Sequence, residues 1–344
     1  PVVECDEITT GQLSTVVVIV KVWRYISQQK PVSQQTIFVQ TVMKDKICIV
    51  TGANSGIGKV TAQALAEKGA TVLMVCRNER KGEAALCEIK EKSKNGNVKL
   101  LLADLSSQEE IRRLADKIRT KYPKIDVLVN NAGGINPKRT LTVDGIETTF
   151  AVNHLGYFLL TNLLLGHLKA ASAARVVNVT SQVHRFARIF FDDLGLEKRY
   201  GPMLSYAQSK LANILFTYEL ARRLNGTAVT ANTLHPGGVR TNFGKELTGL
   251  AGFYFRNIGF LMRSPEKGAE TVIWLASSPD VEGVTGKYFF DKKEIRSSKI
   301  SCDAEVARRL WHVSVELTGL SMDDMRAPKC FDSQIESRIL KIRS

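Results

Sequence analysis

The 344-residue chain has no apolar run long enough to cross a membrane. Its longest runs, such as "VVVIV" at 16–20, fall far short of the roughly 20 residues that a helical span needs. It has only six cysteines, at 5, 48, 76, 87, 302 and 330, and none forms a C-x-x-C pair or a Cys/His ligand spacing. That pattern excludes a zinc site of ordinary spacing. Cys48 and Cys76 fall in apolar runs and read as reduced, buried thiols of an intracellular protein, cytoplasmic or attached peripherally to a membrane. Basic residues are not gathered into a long run interleaved with aromatics, which argues against nucleic acid as a partner.

Positive charge, by contrast, is abundant. The formal net charge is +14, yet residues 1–43 balance, with Lys21, Arg24 and Lys30 against Glu4, Asp6 and Glu7. The excess belongs to the body of the chain, where it suits an anionic lipid surface, a phosphorylated cofactor, or a solvated exterior. With 44% hydrophobic residues, there is ample material for one large core.

From residue 46 onward short apolar runs alternate with helical patterns. "KICIVT" (46–51), "TVLMVCR" (71–77), "IDVLVNNAG" (125–133), "RVVNVTS" (175–181), "AVTANTLHPGG" (228–238) and "GKYFF" (286–290) read as strands, several running into turns. Between them lie helices predicted at 59–70, 109–122, 151–170, 205–224 and 269–278. In 109–122, Ile111, Leu114 and Ile118 share a face, and in 205–224 Leu211, Ile214, Leu215 and Tyr218 do. Continuous apolar strands alternating with helices predict an α/β fold with a doubly wound parallel sheet of Rossmann type in a single domain. Residues 1–43 lack this rhythm and carry a polar, proline-broken "SQQKPVSQQT", so they read as an N-terminal extension, of which the fold can dispense with 1–42. The domain is placed at 44–320 and a tail at 321–344.

"TGANSGIG" (51–58) stands where the first strand meets the first helix. A helix N-terminus offers free backbone N–H groups and a partial positive charge, and glycines let a pyrophosphate approach them. Gly52, Gly56 and Gly58 form G-x-x-x-G-x-G, neither the G-x-G-x-x-G fingerprint nor a P-loop, since Val60 stands where magnesium would need a hydroxyl. At the end of the second strand, "CRNERK" offers Arg77 in place of the acid that would hold the ribose 2′-hydroxyl of NAD. A guanidinium there suits the 2′-phosphate of NADP. "SYAQSK" puts Tyr206 and Lys210 on one helix face, a pattern also common by chance on polar helices.

Taken in order, "TGANSGIG", "NNAG" (130–133), "VNHLG" (152–156), "VTS" (179–181), "YAQSK" (206–210) and "HPGG" (235–238) resemble a short-chain dehydrogenase/reductase over residues 44–320. "CRNERK", "SKLANILFTYELARRL" and "LHPGGVRTN" are most similar to the retinol dehydrogenase group, whose members commonly use NADP(H). The resemblance implies roles residue by residue. Tyr206 is the general acid or base; Lys210 favours its phenolate and holds the nicotinamide ribose; Ser181 binds and orients the substrate oxygen; and Asn153 anchors a water linking Lys210 to solvent. An isolated phenol has a pKa of about 10, so proton release near neutrality needs such help. For the cofactor, the resemblance implies Gly52, Asn54, Ser55, Gly56, Ile57 and Gly58 at the phosphates and Arg77 at the 2′-phosphate. Asp104 and Leu105 are expected beside the adenine and Asn131, Ala132 and Gly133 beneath it, with Pro236, Gly237 and Thr241 at the nicotinamide. Bland readings stand beside these: "NNAG" as a tight turn and Asp104 as a helix cap.

The implied activity is interconversion of an apolar alcohol and its aldehyde or ketone with NADP(H) favoured over NAD(H). The alternative is a catalytically silent, cofactor-binding regulator or scaffold of the same fold. Phe186, Phe190 and Phe191, in an insert between Ser181 and Tyr206, either line an apolar pocket or pack the core. Residues 239–265, rich in apolar side chains, are expected to cover the substrate and offer a surface for peripheral membrane contact. Many members pair as homodimers through four-helix contacts, whereas extended members can be monomers.

Overall fold

The computed structural model describes residues 43–239 and 263–321. The sequence-based expectations for 1–42, for most of 239–265 including Thr241, and for the tail lie outside the described residues. Strands β1 (Ile47–Thr51), β2 (Thr71–Cys76), β3 (Val98–Leu102), β4 (Val127–Asn130), β5 (Ala174–Val179), β6 (Val229–Leu234), β7 (Tyr288–Phe290) and β8 (Lys293–Glu294) form one sheet. Its order is β3-β2-β1-β4-β5-β6-β7-β8. All neighbours run parallel except β7 and β8. From β1 the chain winds outward through β2 and β3. From β4 it winds the other way. The β1/β4 boundary is therefore the switch point, and ligands bind outside the strand ends there.

Both faces of the sheet are covered, which is why its inner strands are mostly apolar. Ile49, Leu73 and Val75 face one cluster, with Ile111, Leu114 and Ile118 of α3 (Gln108–Lys121) and Phe216 and Leu220 of α7 (Pro202–Arg223). Cys48, Val50, Val72 and Met74 face the other. There they meet α1 (Gly56–Glu67), α2 (Glu79–Ser93) and α8 (Pro265–Ser277) through Leu65, Ile89 and Val272. Alternate residues of one strand thus enter opposite cores. The helix α9 (Ala304–Thr318) closes the first side, with Trp311 packed against Phe158 and Phe216 at ring distances of 4.9 and 5.9 Å.

Helix ends follow local chemistry. Ser107 caps α3 by accepting from the Glu110 N–H, Glu109 and Glu110 lie in its first turn, and Arg119 and Lys121 in its last, each complementing the helix dipole. The expected helix at 151–170 is not continuous. It consists of α4 (Thr148–Phe150), a π-helical turn at Ala151–Leu155, α5 (Gly156–Leu163) and α6 (Leu165–Lys169), with the break at Leu164. Hydrophobicity alone could not reveal the wide turn, because every residue of α5 is buried whichever way it faces. Such single π turns favour functional positions, and this one holds Asn153.

Candidate active site

The first loop is shaped by contacts with the fourth strand. Gly52 has φ of +67°, a left-handed conformation that favours glycine. A Cβ on Gly58 would lie 2.4 Å from both Asn131 Nδ2 and the Gly52 carbonyl, so only glycine fits. Thr51 fastens the two loops together. Its Oγ1 accepts from the N–H groups of Asn131 and Ala132 at 2.9 and 3.0 Å, and its carbonyl accepts from Asn131 Nδ2 at 2.8 Å. Asn131 is therefore a structural clamp at the switch point. Sequence reasoning did not single out Thr51, whose role depends on a partner 80 residues away.

At the N-terminus of α1, Ser55 makes no side-chain cap and the first turn holds no acid. Its N–H groups face the loop without a local anion, unlike those of α3. Arg77 follows β2 and is exposed, and Cys76 stands where an acid would serve a ribose. Asp104 follows β3. Its Oδ1 accepts from the Ser106 N–H at 2.9 Å, so it also shapes the turn into α3. Leu105 is buried against Gly156. These features fit a phosphorylated dinucleotide laid across the strand ends.

At the nicotinamide end, Ser181, Tyr206 and Lys210 come together. Ser181 stands just beyond β5, and its hydroxyl hydrogen-bonds the Tyr206 phenol. Tyr206 is half-buried. Burial pushes its pKa up to about 12 and the Ser181 bond offsets part of that rise. Lys210, one turn further on α7, is buried and donates to the Val179 carbonyl at 3.1 Å. Burial pushes its pKa down to about 7. The expectation that the ammonium draws the phenol downward thus meets a larger opposing effect, because both groups leave water together.

Asn153 is buried, and both polar atoms of its side chain are engaged. Nδ2 donates to the Gly134 carbonyl and to Ser209 Oγ at 2.9 and 3.0 Å, and Oδ1 accepts from the Gly134 N–H at 2.9 Å. Its carbonyl accepts from Asn213 Nδ2 at 2.8 Å. The side chain staples the β4 exit loop to α7, and Oδ1 keeps a second lone pair. Asn213 in turn meets His154 Nδ1 at 3.3 Å, and His154 Nε2 meets Ser314 Oγ of α9 at 3.0 Å. Tyr157 lies under the ammonium, its ring centre 5.6 Å from Lys210 Nζ. Asn213, His154 and Tyr157 were not legible as site residues, since each reads locally as a helix interior position.

Pro236 and Gly237 follow β6, with Gly237 at φ of +83°. Of the insert aromatics, Phe190 is buried, with the guanidinium groups of Arg188 and Arg199 at 4.5 and 4.9 Å from its ring. Phe191 packs against the cluster of Phe150, Leu211 and Leu310. Both follow the core reading, while Phe186 is 85% exposed.

A nucleotide cradle at the switch point of a doubly wound sheet, with a tyrosine and lysine at its nicotinamide end, defines the class as Rossmann-fold oxidoreductases. Residues 46–249 match the short chain dehydrogenase family, and the chain belongs to the short-chain dehydrogenase/reductase superfamily, in its retinol dehydrogenase-like group. It is 43% identical over 292 residues to mouse (Mus musculus) retinol dehydrogenase 14, covering 81% of this chain and 87% of that one. To human (Homo sapiens) retinol dehydrogenase 13 it is 44% identical over 288 residues, covering 82% and 87%. Among solved structures, an uncharacterized protein from Mycobacterium paratuberculosis is 37% identical with a TM-score of 0.66, covering 83% of this chain and 97% of that one. A short chain dehydrogenase from Escherichia coli CFT073, complexed with NADPH, is 27% identical with a TM-score of 0.59, covering 73% and 98%.

Proposed function

We propose that this oxidoreductase interconverts an apolar alcohol and its aldehyde or ketone, retinoid-like substrates among them, using NADP(H) and Tyr206 as general acid and base. The observation that carries this reading is the Ser181–Tyr206 hydrogen bond with Lys210 one turn away on the same helix. The substrate class follows the names of the relatives, both retinol dehydrogenases. The preference for NADP(H) rests on the exposed Arg77 and on the neighbours solved with NADP and NADPH.

The residues fit the dinucleotide. Gly52 to Gly58 and the uncapped end of α1 would hold its phosphates, Arg77 its 2′-phosphate, Asp104 and Leu105 its adenine, Asn131 to Gly133 its middle, Lys210 its nicotinamide ribose, and Pro236 and Gly237 its nicotinamide. When bound, it supplies the hydride chemistry. Ser181 holds the substrate oxygen beside Tyr206. With a pKa raised to about 12, the phenol stays protonated at neutral pH and is ready to donate to a carbonyl oxygen. The resulting phenolate keeps the Ser181 bond and gains the nearby Lys210 charge. Since the Lys210 pKa lies near 7, that group can pass a proton on near neutral pH.

We further propose that the catalytic fold begins at Met43, which is buried and whose N–H donates to the Lys68 carbonyl at 3.0 Å. A chain starting there should fold and keep turnover. The central test is Tyr206→Phe, assayed with retinal, aliphatic aldehydes and quinones. Turnover should fall by at least about 10²-fold, with NADPH affinity nearly unchanged. Retained turnover would overturn the role of Tyr206. NADPH binding by the unaltered chain without turnover of any substrate would favour the silent scaffold.

A further inference from the structure

His184 is fully buried, and it sits three residues beyond Ser181 in the 3₁₀ turn Gln182–Phe186. The Ser298 N–H donates to its Nε2 at 3.1 Å, so that nitrogen carries the lone pair. Nδ1 therefore carries the proton, and it donates to the Ser181 carbonyl at 2.8 Å. The Ser181 carbonyl also accepts from the His184 N–H at 3.3 Å, and Oγ from the Val183 N–H at 3.5 Å. Ser181 stands past the last paired residue of β5, so the sheet itself does not fix it. Burial holds the His184 pKa below the ordinary histidine range, which preserves this tautomer near neutral pH.

The ring also begins a column. His184 meets Tyr288 at 5.2 Å, Tyr288 stacks on His235 at 5.7 Å, and His235 stacks on Phe290 at 4.2 Å with 5° between planes. The Arg263 guanidinium covers Phe290 at 4.6 Å and pairs with Asp291. Arg263 also closes on the turn after β6, where a Cβ on Gly237 would lie 2.9 Å from its Cδ. The column therefore spans from Ser181 to the Pro236–Gly237 turn.

We propose that His184 is a positioning residue for Ser181, and that the column from His184 to Arg263 sets the spacing between the substrate-oxygen serine and the Pro236–Gly237 turn. This rests on the reading of Ser181 and Gly237 given above. It adds a residue that touches neither substrate nor cofactor and acts through a backbone carbonyl.

The test compares His184→Phe, which keeps a ring against Tyr288 but loses the donor, with His184→Asn, which keeps a donor near Nδ1. In the full chain, His184→Phe should lower kcat by about 10- to 100-fold, the scale of a small misplacement, while the NADPH dissociation constant stays within about twofold. His184→Asn should recover about tenfold of the loss if the donor matters. Wild-type kcat in His184→Phe would overturn the proposal, as would equal losses in both variants that track their thermal stability. Arg263→Leu probes the other end without touching the buried imidazole, and serves if His184→Phe does not fold. Its kcat should also fall, and an unaltered kcat overturns the column. Ser181→Ala, run alongside, separates the two readings. An active Ser181→Ala defeats the assignment of Ser181 itself, whereas an inactive one beside an active His184→Phe defeats only the positioning role.

Discussion

Lys210 Nζ lies 5.6 Å from the centre of the Tyr206 ring, and the two groups are shifted in ways that leave both less charged than they would be in water. Burial raises the phenol to about 12 and lowers the ammonium to about 7. The lysine is thus held in a place that costs stability, where its nearness to Tyr206 and to the cradle serves chemistry.

Lys210→Met should abolish turnover and yet stabilise the fold. The folded-state pKa of about 7 lies below the ordinary 10.5, so the unfolded chain binds more protons between those values. The penalty is therefore largest below pH 7 and relieved as pH rises toward 10.5. The lost Val179 bond and ring contacts offset part of the gain, leaving roughly 2 kcal/mol at pH 7. Urea unfolding at pH 7 and pH 10 would show it, and a variant less stable than the parent at pH 7 would contradict it.

Acid should weaken the fold before its carboxylates titrate. Burial lowers His154 from 6.5 to about 4, so its contribution is intact above pH 6.5 and lost as pH falls toward 4. At pH 5 this amounts to about 2 kcal/mol. His154→Gln should be the less stable protein at pH 7 but show a smaller drop between pH 7 and pH 5. Parallel drops in both proteins would assign the acid sensitivity elsewhere.

Exchange of Arg77 should change the choice of cofactor. Arg77→Ala should raise KM for NADPH about tenfold and leave that for NADH nearly unaltered, since a charge-assisted bond to a phosphate is worth about 1.5–3 kcal/mol. Steady-state kinetics with both nucleotides decides the matter. An equal effect on the two would remove Arg77 from the 2′-phosphate.

Light scattering should report a monomer. The apolar side of α5 and α7 is covered by α9, with Trp311 only 5% exposed between Phe158, Phe216 and the guanidinium of Arg223. A second copy could not use that face without displacing α9. Trp311→Ala should cost about 3–5 kcal/mol by emptying the space. A dimer that survives dilution in the parent protein would show that another face associates.

Much of the site was legible because it is written in local signals. The glycines of 52–58, the placement of Tyr206 and Lys210 one turn apart, and the alternation of strand and helix all depend on residues within one element. The split of Phe186 from Phe190 and Phe191 was not, because exposure in an insert depends on what packs against it. Nor was the π turn at Ala151–Leu155, hidden inside a uniformly apolar helix.

By itself the sequence determined the alternation of apolar strands and helices and hence the parallel sheet, since periodicity and turn chemistry act over short separations; the strand order, and with it the switch point, belongs to the tertiary structure. Only the tertiary structure decided how the site residues behave. Thr51 clamps Asn131, Asn213 and His154 brace Asn153, His184 holds Ser181, and burial moves the Tyr206 and Lys210 proton affinities. Each of these depends on groups brought from distant parts of the chain and on the exclusion of water, neither of which any local stretch records.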